Sequence, residues 1–381
     1  MKILHVISGL DTGGTELFLE RLLQRLDRKE FSHAVVSLRT LGSVGSRLME
    51  AGVPVYALEA GVNFAGLRAP FALRGIVRRE APDLIQGWMY HGNLAAWAAS
   101  RWASDAALLW GIRQSLYDLS REKPLTRMVI RANVRLSRRP RWILYNSVTS
   151  ARQHEAAGYR ADKTRFISNG FDCGAFHPDA GARLSVRAEL GLDCDSPLIG
   201  RMARYHPMKD HINFLQAAAQ VATRWPQAHF LMVGAGVDPD NTELMTQVRD
   251  LGLVGHVHLL GARRDMPRLT ASLDVACSSS WAEAFPNVLG EAMACEVPCV
   301  TTDVGDSAAI VADTGQIVAP RDPQALAAGI ARVLELAPAE RRDLGARAGE
   351  RVRRLFSMEV VSGQYRSLYE QLMPDKLQSR R

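Results

Sequence analysis

The sequence lacks the features that mark membrane-spanning, secreted and disulfide-bonded proteins. Its apolar runs, such as the one at 108–112, fall far short of the roughly 20 residues that a membrane-spanning helix requires. The first residues are typical of a short strand and a glycine turn, so we expect neither a signal peptide nor a membrane anchor. The five cysteines include no CxxC pair, which favours reduced thiols and a cytoplasmic location.

The chain is too long for one ordinary hydrophobic core, because 381 residues suit two domains of about 150 to 200 residues each. With 47% hydrophobic and 23% charged residues, the composition is that of a globular protein. The charge is unevenly placed: residues 1–180 carry 25 Lys and Arg against 16 Asp and Glu, whereas residues 181–381 carry 22 against 24. We therefore expect the basic first half to face an anionic partner.

Short aliphatic runs alternate with helical periodicity along the chain, which is typical of parallel sheets covered by helices. The strands predicted in this way are 2–8, 33–39, 53–59, 83–89, 107–113, 142–147, 164–170, 197–204, 229–236, 257–261, 274–280, 298–303 and 316–320. A turn-rich stretch at 169–182 interrupts the pattern, so we place one domain at 1–180 and a second at 181–357. A C-terminal helix at about 358–381 is expected to pack back on the first domain. The predicted fold is α/β, with two doubly wound Rossmann-like domains facing a central cleft.

The stretch 278–305 is the most informative part of the sequence. Serines end a predicted strand, and Pro286 and Asn287 are typical of a helix entry. The amino end of such a helix is a natural site for a diphosphate. Glu283 precedes this end and Glu291 lies about one turn inside the helix, so both carboxylates could accept hydrogen bonds from sugar hydroxyls. Two glutamates alone would suit a solvated helix face, but the strand, turn and helix around them favour a binding site.

Two further turns carry candidate phosphate ligands. Arg204 and Lys209 bracket a proline turn between a strand end and a helix start, where they could neutralise a diphosphate; Arg201 is a rival, but it lies within the strand. Gly13 and Gly14 let the backbone approach a phosphate or a sugar closely. This glycine turn lacks the full pattern of a P-loop or a dinucleotide fold, so an ordinary strand-to-helix turn remains open.

His91 follows a predicted strand and is expected in a loop that lines the cleft. A lone histidine beside aromatic residues is more often a structural group than a catalyst. Its place at the carboxyl end of a strand keeps it as a candidate site residue.

The stretch 122–142 predicts one helix between Pro124 and Pro140. Its expected apolar stripe is Leu125, Met128, Val129, Ala132 and Leu136, and its basic side is Arg127, Arg131, Arg135 and Arg138. Such a helix could rest on an anionic membrane surface or meet a lipid-diphosphate acceptor; it could equally pack on the sheet with a solvated basic face. Nucleic acid is not expected as a partner, because no base-stacking or helix-turn-helix pattern accompanies the basic residues.

At these residues the sequence resembles the retaining glycosyltransferases of family 4, which have the GT-B fold. The most specific resemblance is EAFPNVLGEAMA at 283–294, which is similar to the family's two glutamates around GFPN. RYHPMKD at 204–210, GLDTGGTE at 9–16 and ISNGFDCGAF at 167–176 resemble three further family motifs. Ala284 and Glu296 depart from the family pattern, since each replaces a common glycine.

The resemblance implies a role for each candidate residue. Glu291 would hold the ribose hydroxyls of the donor, Glu283 the hydroxyls of the transferred sugar, and Arg204 with Lys209 the diphosphate. His91 would lie near the transferred sugar. The backbone around Phe285, Pro286 and Asn287 would also contact the donor.

The reaction implied is transfer of a sugar from a nucleoside-diphosphate donor, UDP by default, to a hydroxyl of a glycan or lipid-linked acceptor with retained configuration. We expect no cofactor and no obligatory metal, since the sites contain no DxD-like motif. Cell-surface or exopolysaccharide synthesis is the expected pathway, with the protein cytoplasmic or peripheral on the inner face of the membrane. Two alternatives stay open: a GT-B enzyme that does not transfer sugar, such as a sugar-nucleotide epimerase, and a catalytically silent scaffold that binds a sugar nucleotide.

Overall fold

The computed structural model describes residues 1–11, 13–60, 65–103 and 105–372, and the chain divides into two compact units. Unit 1 comprises residues 1–170 and the segment that begins at Met358, and unit 2 comprises Phe171–Ser357. The expected boundary at 180 therefore lies ten residues too late. Phe171 is already buried in the core of unit 2, where its amide donates to the carbonyl of Phe356 at 2.8 Å.

Within the described residues, unit 1 is built on a parallel sheet of seven strands in the order β3-β2-β1-β4-β5-β6-β7. The strands are β1 (Lys2–Ile7), β2 (Ser32–Ser37), β3 (Val55–Ala57), β4 (Leu84–Trp88), β5 (Ala107–Ile112), β6 (Trp142–Tyr145) and β7 (Thr164–Phe166). The helices between them are α1 (Gly14–Arg25), α2 (Gly42–Glu50), α3 (Ala65–Glu80), α4 (Met89–Ser100), α5 (Pro124–Leu136) and α6 (Val148–Ala156). The central strands β1, β4 and β5 are buried on both faces, as their nearly continuous apolar sequences require.

The described residues of unit 2 form a parallel sheet of six strands in the order β10-β9-β8-β11-β12-β13. The strands are β8 (Leu198–Met202), β9 (His229–Val233), β10 (Val257–Leu259), β11 (Val275–Ser278), β12 (Cys299–Thr302) and β13 (Gly315–Val318). The helices are α7 (Ala180–Leu190), α8 (His211–Arg224), α9 (Thr242–Asp250), α10 (Met266–Ala271), α11 (Asn287–Ala294), α12 (Ser307–Val311), α13 (Pro323–Glu335) and α14 (Pro338–Phe356). The predicted pair of doubly wound α/β sheets is confirmed.

The chain returns to unit 1 through helix α15 (Met358–Glu370). Tyr365 packs against Phe18 of α1, with 5.8 Å between the ring centroids. The Tyr369 hydroxyl donates to Oε1 of Gln86 in β4 at 2.6 Å, so α15 is anchored to the central sheet of unit 1. Residues 373–381, the last part of the helix expected from the sequence, lie outside the described residues.

In each sheet the strand order reverses at one point, between β1 and β4 in unit 1 and between β8 and β11 in unit 2. Ligands of open parallel sheets bind beyond the carboxyl ends of the strands at such a reversal. The chain leaving β1, β4, β8 and β11 carries Gly13, His91, Lys209 and Glu283, respectively. The sheet topology and the sequence motifs therefore indicate the same four segments as candidate ligand contacts.

Candidate functional site

The reversal point of unit 2 brings together two candidate residues from distant parts of the chain. The Lys209 ammonium and the Glu283 carboxylate form an ion pair. Their side chains are 25% and 13% exposed, so the pair is shielded from bulk water and still accessible. Ser280 also donates its hydroxyl to Oε1 of Glu283 at 2.8 Å, which fixes the carboxylate further. A paired cation and anion on neighbouring loops can bind a phosphate and a sugar hydroxyl side by side.

The backbone that carries Lys209 is held by side chains of β8 and of the loop after β11. The Arg201 guanidinium donates to the carbonyl of Lys209, and the Ser279 hydroxyl donates to the carbonyls of Lys209 and Asp210 at 3.2 and 2.9 Å. The Trp281 indole donates to the carbonyl of Pro207 at 2.9 Å. The two loops therefore form one hydrogen-bonded layer that positions the ion pair.

Arg201 and Arg204 occupy different environments, as the sequence suggested. Arg201 is buried within β8, and burial lowers the pKa of its guanidinium below the usual value. The side chain of Arg204 is exposed, and the described residues give it no ion pair. Its carbonyl oxygen lies 3.0 Å from Nε2 of His211, which can donate to it and hold the turn. Arg204 is therefore available to an anionic ligand, whereas Arg201 supports the backbone.

The loop that carries Glu283 is supported from behind by Gly305. With φ of +58°, Gly305 is in the left-handed region, and it lies directly against the carbonyl groups of Glu283 and Ala284. The amide of Asp306 donates to the carbonyl of Ala284 at 2.9 Å. Ala284 itself has no positive φ, so an alanine is accommodated there without backbone strain.

Beyond this loop, the chain enters α11 through Pro286, and no side chain caps the helix. Asn287 is the first helical residue, and Glu291 lies about one turn inside, half-buried. The ring of Phe285 is buried in the core, stacked on Phe171 with 6.1 Å between the centroids. Only the backbone of Phe285 is therefore placed to serve a ligand.

In unit 1, Gly13 and Gly14 lie at the start of α1. Gly13 has an extended backbone and precedes the helix, and Gly14 is its first residue. The Glu16 carboxylate folds back over Gly13 and occupies the position that a side chain would take there. Burial raises the pKa of Glu16, and the negative charge of Asp11 adds to this effect. Thr12, which belongs to the same motif, lies outside the described residues.

His91 does not lie in a loop, so this expectation is wrong. It is the third residue of α4, which follows β4 without a connecting segment. The chain makes this turn at Met89, whose φ of +63° is in the left-handed region and is strained for a side chain of this size. Burial lowers the pKa of His91, with a smaller contribution from the charge of Arg39, so the imidazole is neutral near pH 7. His91 still lies at the reversal point of the sheet.

Arg113, at the carboxyl end of β5, was not identified from the sequence. Its guanidinium carbon lies 3.5 Å from the ring centroid of Phe18, and its two terminal nitrogens donate to Asn169 and to the hydroxyl of Tyr365, the latter at 3.4 Å. Burial lowers the pKa of this guanidinium. The sequence contains a signal for this residue, because a basic side chain directly follows the apolar run of β5. Arg113 links β5, α1 and α15.

The predicted apolar stripe of α5 is wrong at two positions. Val129 and Ile130 are buried against the sheet, whereas Leu125 and Met128 are each 65% exposed. The buried side also carries Asn133, whose amide donates to the carbonyl of Tyr90 at 2.8 Å, and this side is turned away from Leu125 and Met128. The outer face of α5 thus combines exposed apolar and basic side chains.

The described residues contain neither a metal-binding cluster nor a membrane-spanning helix. Across 1–11, 13–60, 65–103 and 105–372, no group of three or more His, Cys, Asp or Glu is arranged to hold a metal ion. In that same part of the chain, no helix has both the length and the apolar character needed to cross a membrane.

Comparison with known proteins supports a single family. Residues 13–170 match the glycosyl transferase 4-like domain, and residues 196–336 match the glycosyl transferases group 1 domain. A D-inositol 3-phosphate glycosyltransferase of Catenulispora acidiphila is 25% identical over 404 aligned positions, covering 98% of this chain and 93% of that protein. Another protein of that name, from Segniliparus rotundus, is 32% identical over 219 positions, covering 55% of this chain and 47% of its own length.

Solved structures agree with this assignment. HepE of Anabaena in complex with UDP and glucose is 25% identical, with a TM-score of 0.83 over 97% of this chain and 100% of that chain. Sucrose-phosphate synthase of Thermosynechococcus elongatus has the same fold at 22% identity, with a TM-score of 0.82 over 98% of this chain and 99% of its own. The two family models together match well over half of the chain, and the protein belongs to the group 1 glycosyltransferases of the GT-B fold.

Proposed function

We propose that this glycosyltransferase moves a hexose from a UDP-sugar to a hydroxyl of a glycan or lipid-linked acceptor, with retention of the anomeric configuration. The observation that carries the proposal is the ion pair between Lys209 and Glu283 at the reversal point of unit 2. A donor needs a cation for its diphosphate and an acceptor of hydrogen bonds for its sugar. The pair supplies both from adjacent loops.

Donor binding would exchange the partners of this pair. The diphosphate takes the Lys209 ammonium, and the exposed Arg204 guanidinium adds a second cation. Glu283, released from Lys209 but still bonded to Ser280, then accepts hydrogen bonds from the sugar hydroxyls. Two cations and the amino end of α11 would stabilise the departing diphosphate without a metal ion. We propose on this basis that no cofactor is required.

The remaining donor contacts would come from the start of α11. The backbone at Phe285, Pro286 and Asn287 would contact the sugar and the phosphate, and no side chain caps the helix end there. Glu291 would accept hydrogen bonds from the ribose hydroxyls. UDP as the donor nucleotide is supported by HepE, a related protein crystallised with UDP and with UDP-glucose.

Unit 1 would supply the acceptor side. Gly13 and Gly14 offer backbone that a sugar or phosphate can approach closely. A neutral His91 imidazole can accept a hydrogen bond from a sugar hydroxyl. Retention would follow if the acceptor hydroxyl attacks from the face that the diphosphate leaves, passing its proton to the departing phosphate.

The outer face of α5 supports a membrane-associated acceptor and a role in cell-surface or exopolysaccharide synthesis. Leu125 and Met128 are exposed beside the basic residues Arg127 and Arg131. Exposed apolar side chains flanked by arginines are suited to the surface of an anionic bilayer. We propose that this face holds the protein on the inner side of the cytoplasmic membrane.

Thermal stabilisation by nucleotides tests the donor site. Because only the folded protein binds the ligand, UDP at a hundred times its Kd should stabilise unit 2 by about 2.7 kcal/mol. We expect UDP and UDP-sugars to raise the Tm, and GDP and ADP to have little effect. Glu291→Ala and Arg204→Ala should abolish the shift. Arg249→Ala, which removes an exposed arginine of α9, should retain it.

A transfer assay separates an enzyme from a scaffold. Glu283→Ala should abolish transfer from the UDP-sugar that gives the largest shift, while a scaffold would be unaffected by it. The proposal is wrong if no sugar nucleotide stabilises the folded protein, or if Arg249→Ala loses the shift together with Arg204→Ala.

A further inference from the structure

The amino ends of the strands of unit 1 border a cavity of about 400 Å³. Leu372, beyond α15, completes a lining that otherwise comes from the end of α4, the start of β5, the segment between α5 and β6, and the residue before β7. In a parallel sheet these positions all lie at the amino edge, opposite the carboxyl edge that carries Gly13 and His91. The cavity is therefore separate from the proposed sugar-transfer chemistry.

Four cationic side chains line this cavity: Arg101, Arg139, Arg141 and Lys163. No acidic residue is found among its described lining residues. None of the four side chains takes part in an ion pair within the described ranges, although ion pairs are frequent elsewhere in the chain. Four like charges around one cavity repel one another, so the arrangement is stabilised when an anion enters.

Helix electrostatics explain only part of this cluster. A cation at the carboxyl end of a helix is favourable, which accounts for Arg101 at the end of α4 and, in part, for Arg139 beyond α5. Arg141 instead precedes β6, and its amide is used in the sheet, donating to the carbonyl of Leu108 at 2.7 Å. Its guanidinium remains available, lying 5.5 Å from the ring centroid of Trp142.

The chemistry of the lining defines the ligand class. Arginine guanidinium groups match the geometry of phosphate oxygens, and a total of three arginines and one lysine suits more than one negative charge. The remaining wall includes the half-buried Trp97 together with Leu108 and Pro140. A cavity of this size takes a small organic molecule rather than a bare ion.

We propose that the amino-edge cavity of unit 1 binds a phosphate-bearing organic ligand, with the phosphate held by Arg101, Arg139, Arg141 and Lys163. The apolar part of the ligand rests on Trp97. A free phosphate ester and the headgroup of an anionic phospholipid share this chemistry. Arg139 lies three residues beyond the end of the basic helix α5, so the cavity and that helix are adjacent in the chain.

The test uses two probes on the full chain carrying Arg204→Ala and Lys209→Ala, so that the proposed donor site cannot contribute. The first probe is inorganic pyrophosphate, titrated by calorimetry. The second is sedimentation with vesicles of 30% phosphatidylglycerol in phosphatidylcholine. Each is repeated with Arg101→Gln and Arg141→Gln together, and with a matched control, Arg74→Gln and Arg78→Gln, which removes the same charge from the exposed side of α3.

Saturable pyrophosphate binding that weakens at least tenfold in the cavity variant, and less than twofold in the control, supports the proposal with a free phosphate as the source. Vesicle binding that weakens in the cavity variant alone, without pyrophosphate binding, supports it with a lipid headgroup as the source. The proposal is overturned if neither probe binds, or if the cavity variant weakens neither probe's binding by more than the control does. The four substituted arginines, Arg74, Arg78, Arg101 and Arg141, are all exposed. Unchanged melting temperatures will show that the variants are folded.

Discussion

Gly305 offers a direct test of how the Glu283 loop is held. Its φ of +58° is unfavourable for any residue with a side chain, and a Cβ atom would overlap the carbonyl groups of Glu283 and Ala284. Gly305→Ala therefore imposes two costs, backbone strain and a steric clash with the loop that carries the proposed sugar ligand. The matched substitution Gly252→Ala separates the two costs. Gly252 also has a positive φ, +68°, but a Cβ atom added there would have nothing within 4 Å.

The two costs differ in size. Left-handed backbone costs a non-glycine residue about 1 to 2 kcal/mol, and both variants incur it. Overpacking adds about 1 to 3 kcal/mol, and only Gly305→Ala incurs that. The loss of unfolded-state entropy is the same for both substitutions and cancels in the comparison. We expect Gly305→Ala to be about 1 to 3 kcal/mol less stable than Gly252→Ala, which for a unit of this size is roughly 2 to 12 °C in Tm.

Calorimetric melting and steady-state transfer assays measure the two consequences. Because the clash displaces the carbonyl of Glu283, kcat/KM should fall about ten- to a hundredfold in Gly305→Ala, in line with the effect of displacing a positioning group by about 1 Å. Gly252→Ala should keep its activity. Equal destabilisation of the two variants, with activity kept in both, would refute the inference that Gly305 supports the Glu283 loop.

Two further predictions concern stability. Glu296 follows α11 in a Schellman motif, with a φ of +58° that favours glycine. Glu296→Gly should therefore raise the free energy of unfolding, measured by urea denaturation, by about 0.5 to 1 kcal/mol. This gain remains after loss of the exposed ion pair between Glu296 and Arg353, because such pairs contribute little. Nε2 of His5 and Nδ1 of His33 lie 3.1 Å apart in the core, and burial lowers the pKa of both imidazoles, that of His33 to about 4. Because the unfolded chain then binds more protons, the free energy of unfolding should fall by a few kcal/mol as the pH drops from about 6.5 to about 4. His33→Phe should flatten that part of a Tm-versus-pH curve.

The sheets could be predicted from sequence because their strands are buried on both faces. A strand such as β5 shows a continuous apolar run with no competing helical period, so its position follows from the sequence alone. The ends were predicted less well: β7 stops at Phe166, whereas the predicted strand continued to Gly170. Of the four residues after Phe166, only Ile167 is apolar, so the predicted strand was extended over polar residues that the composition does not support.

Features that depend on tertiary contacts could not be predicted. His91 was placed in a loop because no pattern signals that Met89 adopts a left-handed backbone and starts α4 at once. Leu125 and Met128 were placed inside because an apolar stripe normally faces the core, whereas the buried side of α5 includes the polar Asn133. The support that Arg201 gives to Lys209 depends on the fold of the turn between them, which periodicity does not encode.

The two edges of the unit 1 sheet can serve different partners because charge at one is screened from the other. Strand β5 has six residues, so its ends are about 20 Å apart at roughly 3.3 Å per residue. This exceeds twice the screening length of about 8 Å at physiological ionic strength. The uncompensated cations at Arg101 and Arg141 can therefore attract a phosphate without changing the protonation of His91 at the carboxyl edge. It follows that Arg101→Gln with Arg141→Gln should leave the pH dependence of kcat/KM unchanged, even where it removes phosphate or membrane binding.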